Sequence, residues 1–274
     1  VRDFRQPAVA MTDHGAMYGA IPFYNQATKQ GIKPIIGLEA YVAKNDRRQK
    51  QAKPGSDAYH LTLLAKNFKG YQNLMKLTSR AHLEGFSYRP RMDDELLAEH
   101  HEGLIATSGC AASLISQLIL NNKKDEAIEK IKQYYELFEG QFYLEIQHHQ
   151  GLDMVQELAA EMAKLSRQLG IPLVATNDVH YLNKEDARAQ EILICIQTAK
   201  TIEDEDRMQF STDELYLKSP EIMAEQFHYC PEALENTVKI AQMCNVELEF
   251  GKLHLPKFDV PQQQDAYEYL RGLC

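Results

Sequence analysis

Residues 172–180 read Pro-Leu-Val-Ala-Thr-Asn-Asp-Val-His, an apolar run of strand length that stops at two metal-ligand residue types. In an extended chain residues two apart share a face, so Asp178 and His180 are predicted to reach one cation from a single strand end. A carboxylate oxygen beside an imidazole nitrogen suits Zn, Mn or Fe better than Ca or Mg. The same pair would also fit a loop carboxylate near a solvated histidine. What favours the ligand reading is recurrence. Pro7 to Thr12 is a short apolar strand ending at Asp13-His14-Gly15, and Lys33 to Val42 is a strand with Glu39 in its second half. Tyr59 to Ala65 begins with His60, Gly103 to Cys110 finishes on a potential thiolate, and Gln141 to Gln147 is followed by His148-His149.

Helical patterns separate these strands. Apolar residues at Met17, Ile21, Phe23, Tyr24 and Ala27 predict a helix before Gly31, and Phe68 to Leu83 predicts another with Tyr71, Leu74, Met75 and Leu77 inward. Further helices are expected over 111–121, 124–138 and 153–169. Asn183 to Asp186 has the form of a capping box, and Ser219-Pro220 that of an N-cap followed by proline. A helix from Pro231 to Cys244 follows. Val1 to Gln6 reads as the last turn of a helix, Lys44 to Asp57 as a polar, basic loop turning at Pro54-Gly55, and Glu203 to Asp206 as a solvated acidic loop. Strands alternating with amphipathic helices predict an α/β fold with a mainly parallel sheet. In a (β/α) barrel the strand ends converge on one face, which would gather His14, Glu39, Cys110, His149 and Asp178 into one pocket.

Each residue also has a plain structural reading: a turn histidine at His14, a solvent-facing Glu39, a core histidine at His60, a packing thiol at Cys110. His82, His100, His101, His228 and His254 sit on predicted helices or loops and are read as structural, and His148 and His149 are not assigned. The composition, 44% hydrophobic and 25% charged over 274 residues, is that of a globular chain. Apolar runs such as Ile192 to Ile196 fall far short of the ~18 residues that span a bilayer, and no signal-peptide core is present. This argues against a membrane protein and predicts a cytoplasmic location. The five cysteines lack C-x-x-C spacing, so neither a disulfide framework nor a zinc ribbon is indicated. A net charge of −9 argues against a broad basic surface for nucleic acid, leaving a local grip or one supplied elsewhere in a larger protein.

Taken together, Thr12-Asp13-His14-Gly15, Gly31-Ile-Lys-Pro-Ile-Ile-Gly-Leu-Glu39, His60-Leu-Thr-Leu-Leu-Ala, Gly70-Tyr-Gln-Asn-Leu, Ser108-Gly109-Cys110 and Ala175-Thr-Asn-Asp-Val-His180-Tyr resemble the PHP (polymerase and histidinol phosphatase) domain. More narrowly, they are similar to the N-terminal domain of bacterial DNA polymerase III alpha subunits. Asp213 to Pro220 and Cys244-Asn-Val-Glu-Leu fit that branch. The resemblance implies a distorted (β/α)7 barrel of PHP type, lacking its first strand in this fragment, over residues 1–250, with 251–274 as a linker and the start of the polymerase palm. It implies up to three ions, Zn or Mn with Fe as a third option, on nine ligand positions. Six of these match His14, Glu39, His60, Cys110, Asp178 and His180; the others, a His-x-His pair and an aspartate, are expected upstream of Val1. A thiolate at Cys110 favours Zn over Mn.

The implied chemistry is phosphoester hydrolysis by water that neighbouring cations acidify, with no protein nucleophile, as in a 3′–5′ proofreading exonuclease. The parent would be a DNA-directed DNA polymerase using Mg, its palm carboxylates lying outside this chain, with DNA, a proofreading subunit and other replisome subunits as partners. Two alternatives remain: a non-catalytic scaffold that stabilises the polymerase and docks a proofreading subunit, and a free-standing phosphoesterase, which the palm-like C-terminus opposes.

Overall fold

The computed structural model describes residues 1–51, 53, 57–253, 255, 258–261 and 265–274. The turn expected at Pro54-Gly55 and His254 lie outside them. The backbone of the fold is β2 (Lys33–Val42), buried on both faces from Ile35 onward, as a near-continuous apolar run in an α/β sheet must be. Ile36, Leu38 and Ala40 are fully buried, each large side chain contributing about 1.5–3 kcal/mol by leaving water.

On one side of β2 lies β1 (Ala8–Met11), parallel to it. On the other runs β3 (Tyr59–Ala65), followed by β5 (Leu104–Thr107), β6 (Phe142–Gln147) and β7 (Leu173–Thr176). A two-residue strand, β4 (Arg91–Met92), pairs with the end of β2. The sheet curls into a half-barrel, consistent with part of the (β/α) barrel expected from the resemblance. The expected parallel arrangement holds for β1–β2, β2–β4, β5–β6 and β6–β7 but not for β3, which is antiparallel to both β2 and β5. That reversal carries the start of β3 to the end of the sheet where β2 finishes, opposing Tyr41 to His60.

Helices α1 (Ala20–Lys29), α2 (Phe68–Glu84), α6 (Asp153–Leu169) and α9 (Pro231–Met243) pack on β2, β3, β6 and β7 respectively. Between them lie α3 (Asp94–His100), α4 (Leu114–Leu120), α5 (Lys124–Leu137), α7 (Ala187–Thr198) and α8 (Pro220–Gln226), with α10 (Ala266–Leu273) after them. The capping box at Asn183 and Asp186 and the Ser219 cap form as expected. Residues 2–5 make turns instead of the expected end of a helix. On α2, Met75 is exposed rather than inward. The stretch β4–α3 went unpredicted although its cap is conventional: the Asp93 carboxylate accepts from the Leu96 N–H at 3.0 Å.

The loop leaving β2 is not simply solvated. Arg47 is fully buried, its guanidinium paired with Glu84 at 2.6 Å, Asp93 at 2.7 Å and Glu95 at 2.9 Å. Nearby, the buried Arg91 pairs with Asp57 at 3.2 Å and donates to the Arg47 carbonyl at 3.0 Å. Two buried arginines thus fasten the segment between β2 and β3 to the rim of the barrel. Segment 213–218 is fastened similarly on the far side. The Lys218 ammonium, fully buried, pairs with Glu214 at 2.9 Å and donates to the His148 carbonyl at 3.2 Å. Asn177 donates to the Glu214 and Tyr216 carbonyls at 3.0 and 2.7 Å, and the His180 N–H to Leu215 O at 2.8 Å. His149 is buried in this region, its Nδ1 without a hydrogen-bond partner among the described residues.

Two predictions follow from these fastenings. Arg47→Met leaves the buried Asp93 carboxylate without its cation and should cost about 3–5 kcal/mol in urea unfolding; an unshifted midpoint would contradict the clamp. Burial, then the Lys218 ammonium, holds His149 down at about 4, against 6.5 ordinarily. The folded state therefore takes up this proton later than the unfolded chain, so the stabilisation from His149 is complete above pH 6.5 and is lost as pH falls towards 4. Thermal melts across that window should show a shallower loss for His149→Gln than for the unaltered protein; parallel curves would contradict it.

Candidate metal centre

Three donor residues define the middle of the cluster. Glu39, on the buried second half of β2, places Oε1 2.7 Å from His60 Nδ1 and Oε2 3.3 Å from His14 Nδ1. Ligand atoms of His14, Glu39 and His60 all lie within 4.8 Å of one another, close enough to share one ion. His60 reaches the group because β3 runs antiparallel. His14 comes from the turn after β1, where Gly15 has φ +61 and a Cβ would sit 2.8 Å from Pro90 Cγ. The chain can turn there only without a side chain.

Cys110 lies past the end of β5, its Sγ 3.4 Å from His60 Nδ1 and 3.9 Å from Glu39 Oε1. Gly109, at φ +78 and packed against the His60 carbonyl, makes that approach possible. Asp178 and His180 arrive differently from the sequence expectation. The strand stops at Thr176, and Asp178 has φ +49, so the two do not share a face of an extended strand. A left-handed turn folds the chain back, with His180 Nδ1 2.7 Å from the Asp178 carbonyl and 3.7 Å from its Oδ1. The His180 ring lies 6.0 Å from that of His14, and Phe210 covers it at 4.7 Å. The six predicted residues therefore converge, while His149 is buried beside Lys218, Glu214 and His148, with His180 the most weakly felt of the groups around it.

The electrostatics fit a cation. Burial, then the Glu39 carboxylate, pushes Asp178 up to about 6. Burial, then Asp178 and Glu39, pushes the Cys110 thiol well above its usual range. Burial raises Glu39 too, but the His60 hydrogen bond and the charges of His14, His60 and His180 outweigh it and hold the carboxylate low. Among the described residues no lysine or arginine pairs with Glu39 or Asp178. Acidic donors gathered without a fixed cation, beside N and S ligand types, could hold a metal ion. His14, its side chain 42% exposed against 11% for Glu39, marks the open side.

Two neighbours escaped the sequence reading. Glu145 is buried within β6 and accepts from Thr176 at 2.6 Å, from Gln147 at 3.0 Å and from Thr107. Burial raises its pKa despite those bonds, and Glu39 adds to the rise. A carboxylate in the otherwise apolar run Phe142–Ile146 was the available signal. Tyr41 shares the Glu39 face of β2 and stacks on His14, ring centres 5.9 Å apart and planes 15° apart. That two-residue spacing was equally readable.

No helix among the described residues is long and apolar enough to cross a membrane. Comparison with known proteins gives a consistent result. The chain is 48% identical over 270 residues to the DNA polymerase III subunit alpha of Borreliella burgdorferi, covering 97% of this chain and 23% of that one. It is 46% identical to the Thermus aquaticus protein of the same name, covering 97% and 22%, and 47% identical to that of Treponema pallidum, covering 98% and 23%. The chain thus spans less than a quarter of the length of these relatives. The PHP domain family model matches residues 1–149, which include His14, Glu39, His60 and Cys110, and Asp178 and His180 lie beyond the match. By that match, over more than half its length, the chain belongs to the PHP domain family.

Proposed function

We propose that this chain is the PHP region of a replicative DNA polymerase and that its cluster hydrolyses a phosphodiester at a DNA 3′ end. Residues 1–250 would form that region and 251–274 a linker with the start of the palm. Template-directed synthesis with Mg would then belong to the parent protein, acting in the cytoplasm with other replisome subunits. The observation that carries the hydrolytic reading is the convergence of six donor side chains, drawn from positions 14 to 180, on one open-sided cluster.

In this reading His14, Glu39, His60, Cys110, Asp178 and His180 hold Zn, Mn or Fe. A bound cation supplies Lewis-acid stabilisation of phosphoryl oxygens and acidifies nearby water. The protein's own part is positional. Glu39 fixes two imidazoles through its two oxygens, which orients His14 and His60 before any ion arrives. Phe210 excludes water from one side of His180, and exposed His14 leaves the approach free for substrate.

A non-catalytic scaffold is the second reading, favoured by the apolar face of α7, where Ile192, Leu193 and Ile196 are 47%, 59% and 71% exposed. Such a face suits a docked proofreading subunit. The two readings separate on release of nucleotides from a mispaired primer by the full-length protein with Zn or Mn. Hydrolysis predicts that His180→Ala and chelation each reduce release at least about a hundredfold; release that survives both contradicts it. A metal-loaded protein that releases nothing selects the scaffold.

Ligand assignment has an independent test in proton release. Burial keeps the Cys110 thiol protonated at pH 7, so it can bind a cation only by losing that proton. Zn titration calorimetry in buffers of different ionisation enthalpy should show about one more proton released than in Cys110→Ser. Equal release would remove Cys110 from the ligand set.

A further inference from the structure

On the open side of the cluster, beyond His14 and Tyr41, a short turn presents cations and aromatic rings together. Arg89 places its guanidinium carbon 5.5 Å from the centre of the Tyr41 ring, which in turn stacks on His14. Among the described residues Arg89 has no carboxylate within ion-pair distance and its side chain donates no hydrogen bond, unlike Arg47, Arg48, Arg80 and Arg91. Lys50 is exposed, and its ammonium donates to the Phe86 carbonyl at 2.8 Å, again with no carboxylate partner among the described residues. Phe86 and Tyr88, flanking this pair, are 50% and 57% exposed.

The turn is held in this shape at a cost. Tyr88 has φ +60, a region that bulky side chains avoid, and the strain is borne because the surroundings fix the backbone on both sides. The Ser87 N–H donates to the Arg89 carbonyl at 3.1 Å, and Ser87 Oγ accepts from the Gln51 N–H at 3.0 Å. Pro90 packs against Gly15, next to the ligand His14. Phe86 stacks on His82, whose Nε2 lies 3.1 Å from the Gly15 carbonyl. The rim is therefore packed directly against the turn that carries His14.

We propose that Lys50, Phe86, Tyr88 and Arg89 form a docking rim for single-stranded DNA, whose 3′ end they feed to the cluster. This deepens the hydrolytic reading and rests on it. Cations interleaved with exposed aromatic rings grip a single strand because phosphates meet the charges and unstacked bases meet the ring faces. A duplex keeps its bases stacked and offers no such faces. An acidic peptide would use the cations but leave the rings unpaired. The local positive charge also reconciles a phosphodiester substrate with a chain of net charge −9. Arg89 stands one ring beyond His14, so it would hold a phosphate upstream of the scissile one, acting as a positioning residue.

The test uses the full-length protein in chelator and an eight-nucleotide oligothymidylate with photoreactive 4-thiothymidine at each of its last four positions in turn. Crosslinks should map to residues 82–91. Arg89→Gln should lower their yield about tenfold, and the logarithmic salt dependence of that yield should flatten by about 0.7 for the lost phosphate contact; Arg89→Lys should restore both. Tyr88→Ala should lower the yield with no change in salt dependence. Because the Arg89 side chain is exposed and unbonded among the described residues, thermal unfolding of Arg89→Gln should match the unaltered protein. Crosslinks mapping elsewhere, or a yield and salt slope indifferent to Arg89→Gln, overturn the proposal. Nucleotide release with Mn is measured on the same preparations. Intact crosslinking without release sinks the hydrolytic reading alone, and release with an Arg89-indifferent crosslink sinks the rim alone.

Discussion

The structure turns on one electrostatic constraint: acidic and imidazole donors are crowded at the buried end of a sheet whose strands are otherwise apolar. Glu39, Asp178, Cys110 and, behind them, Glu145 all sit where water is scarce, and the three carboxylates each raise the proton affinity of another of the group. A fold stabilised only by its core would not gather such groups, since each buried charge costs several kcal/mol unless compensated. Three imidazoles supply part of the compensation. The arrangement of oxygen, nitrogen and sulfur donors is one in which a metal cation could supply the remainder.

The geometry needed for that crowding explains the less regular parts of the fold. β3 must run backwards to bring His60 beside Glu39, and the loop that reverses the chain is secured by two arginines, Arg47 and Arg91, which are buried at 0% and 1% exposure. On the opposite side, Lys218 and Asn177 fasten the 213–218 segment, which in turn holds the backbone of His180. Both flanks of the cluster thus depend on polar groups buried with their partners. Long side chains with fixed bonding geometry determine where a loop goes more sharply than apolar packing does.

Much of this was readable before any coordinates. The alternation of strands and helices and the caps at Asn183 and Ser219 followed from period and turn chemistry, while the set of six candidate donors came from the resemblance to the PHP domain. What was not readable shares a physical cause: it depends on direction or on distant partners. Nothing in Tyr59 to Ala65 encodes which way the strand runs, so His60 at its start looked misplaced when the antiparallel pairing makes it central. Asp178 and His180 come together by another route than the one expected, because a left-handed residue replaces the extended strand assumed for the pair. Arg47 looked like one more solvated charge, since the carboxylates that bury it lie between 37 and 48 residues away. Glu145 was the reverse, a charge inside an apolar strand whose exception to the pattern was itself the signal.

The central claim is that these six side chains form one metal-binding cluster. Its most direct measurement is anomalous X-ray scattering from crystals of the full-length protein grown with Zn or Mn, collected on both sides of the metal's absorption edge. The account predicts a strong anomalous peak bounded by His14, Glu39, His60, Cys110, Asp178 and His180, lost in Glu39→Gln. A well-ordered cluster with no anomalous density among those residues would contradict it.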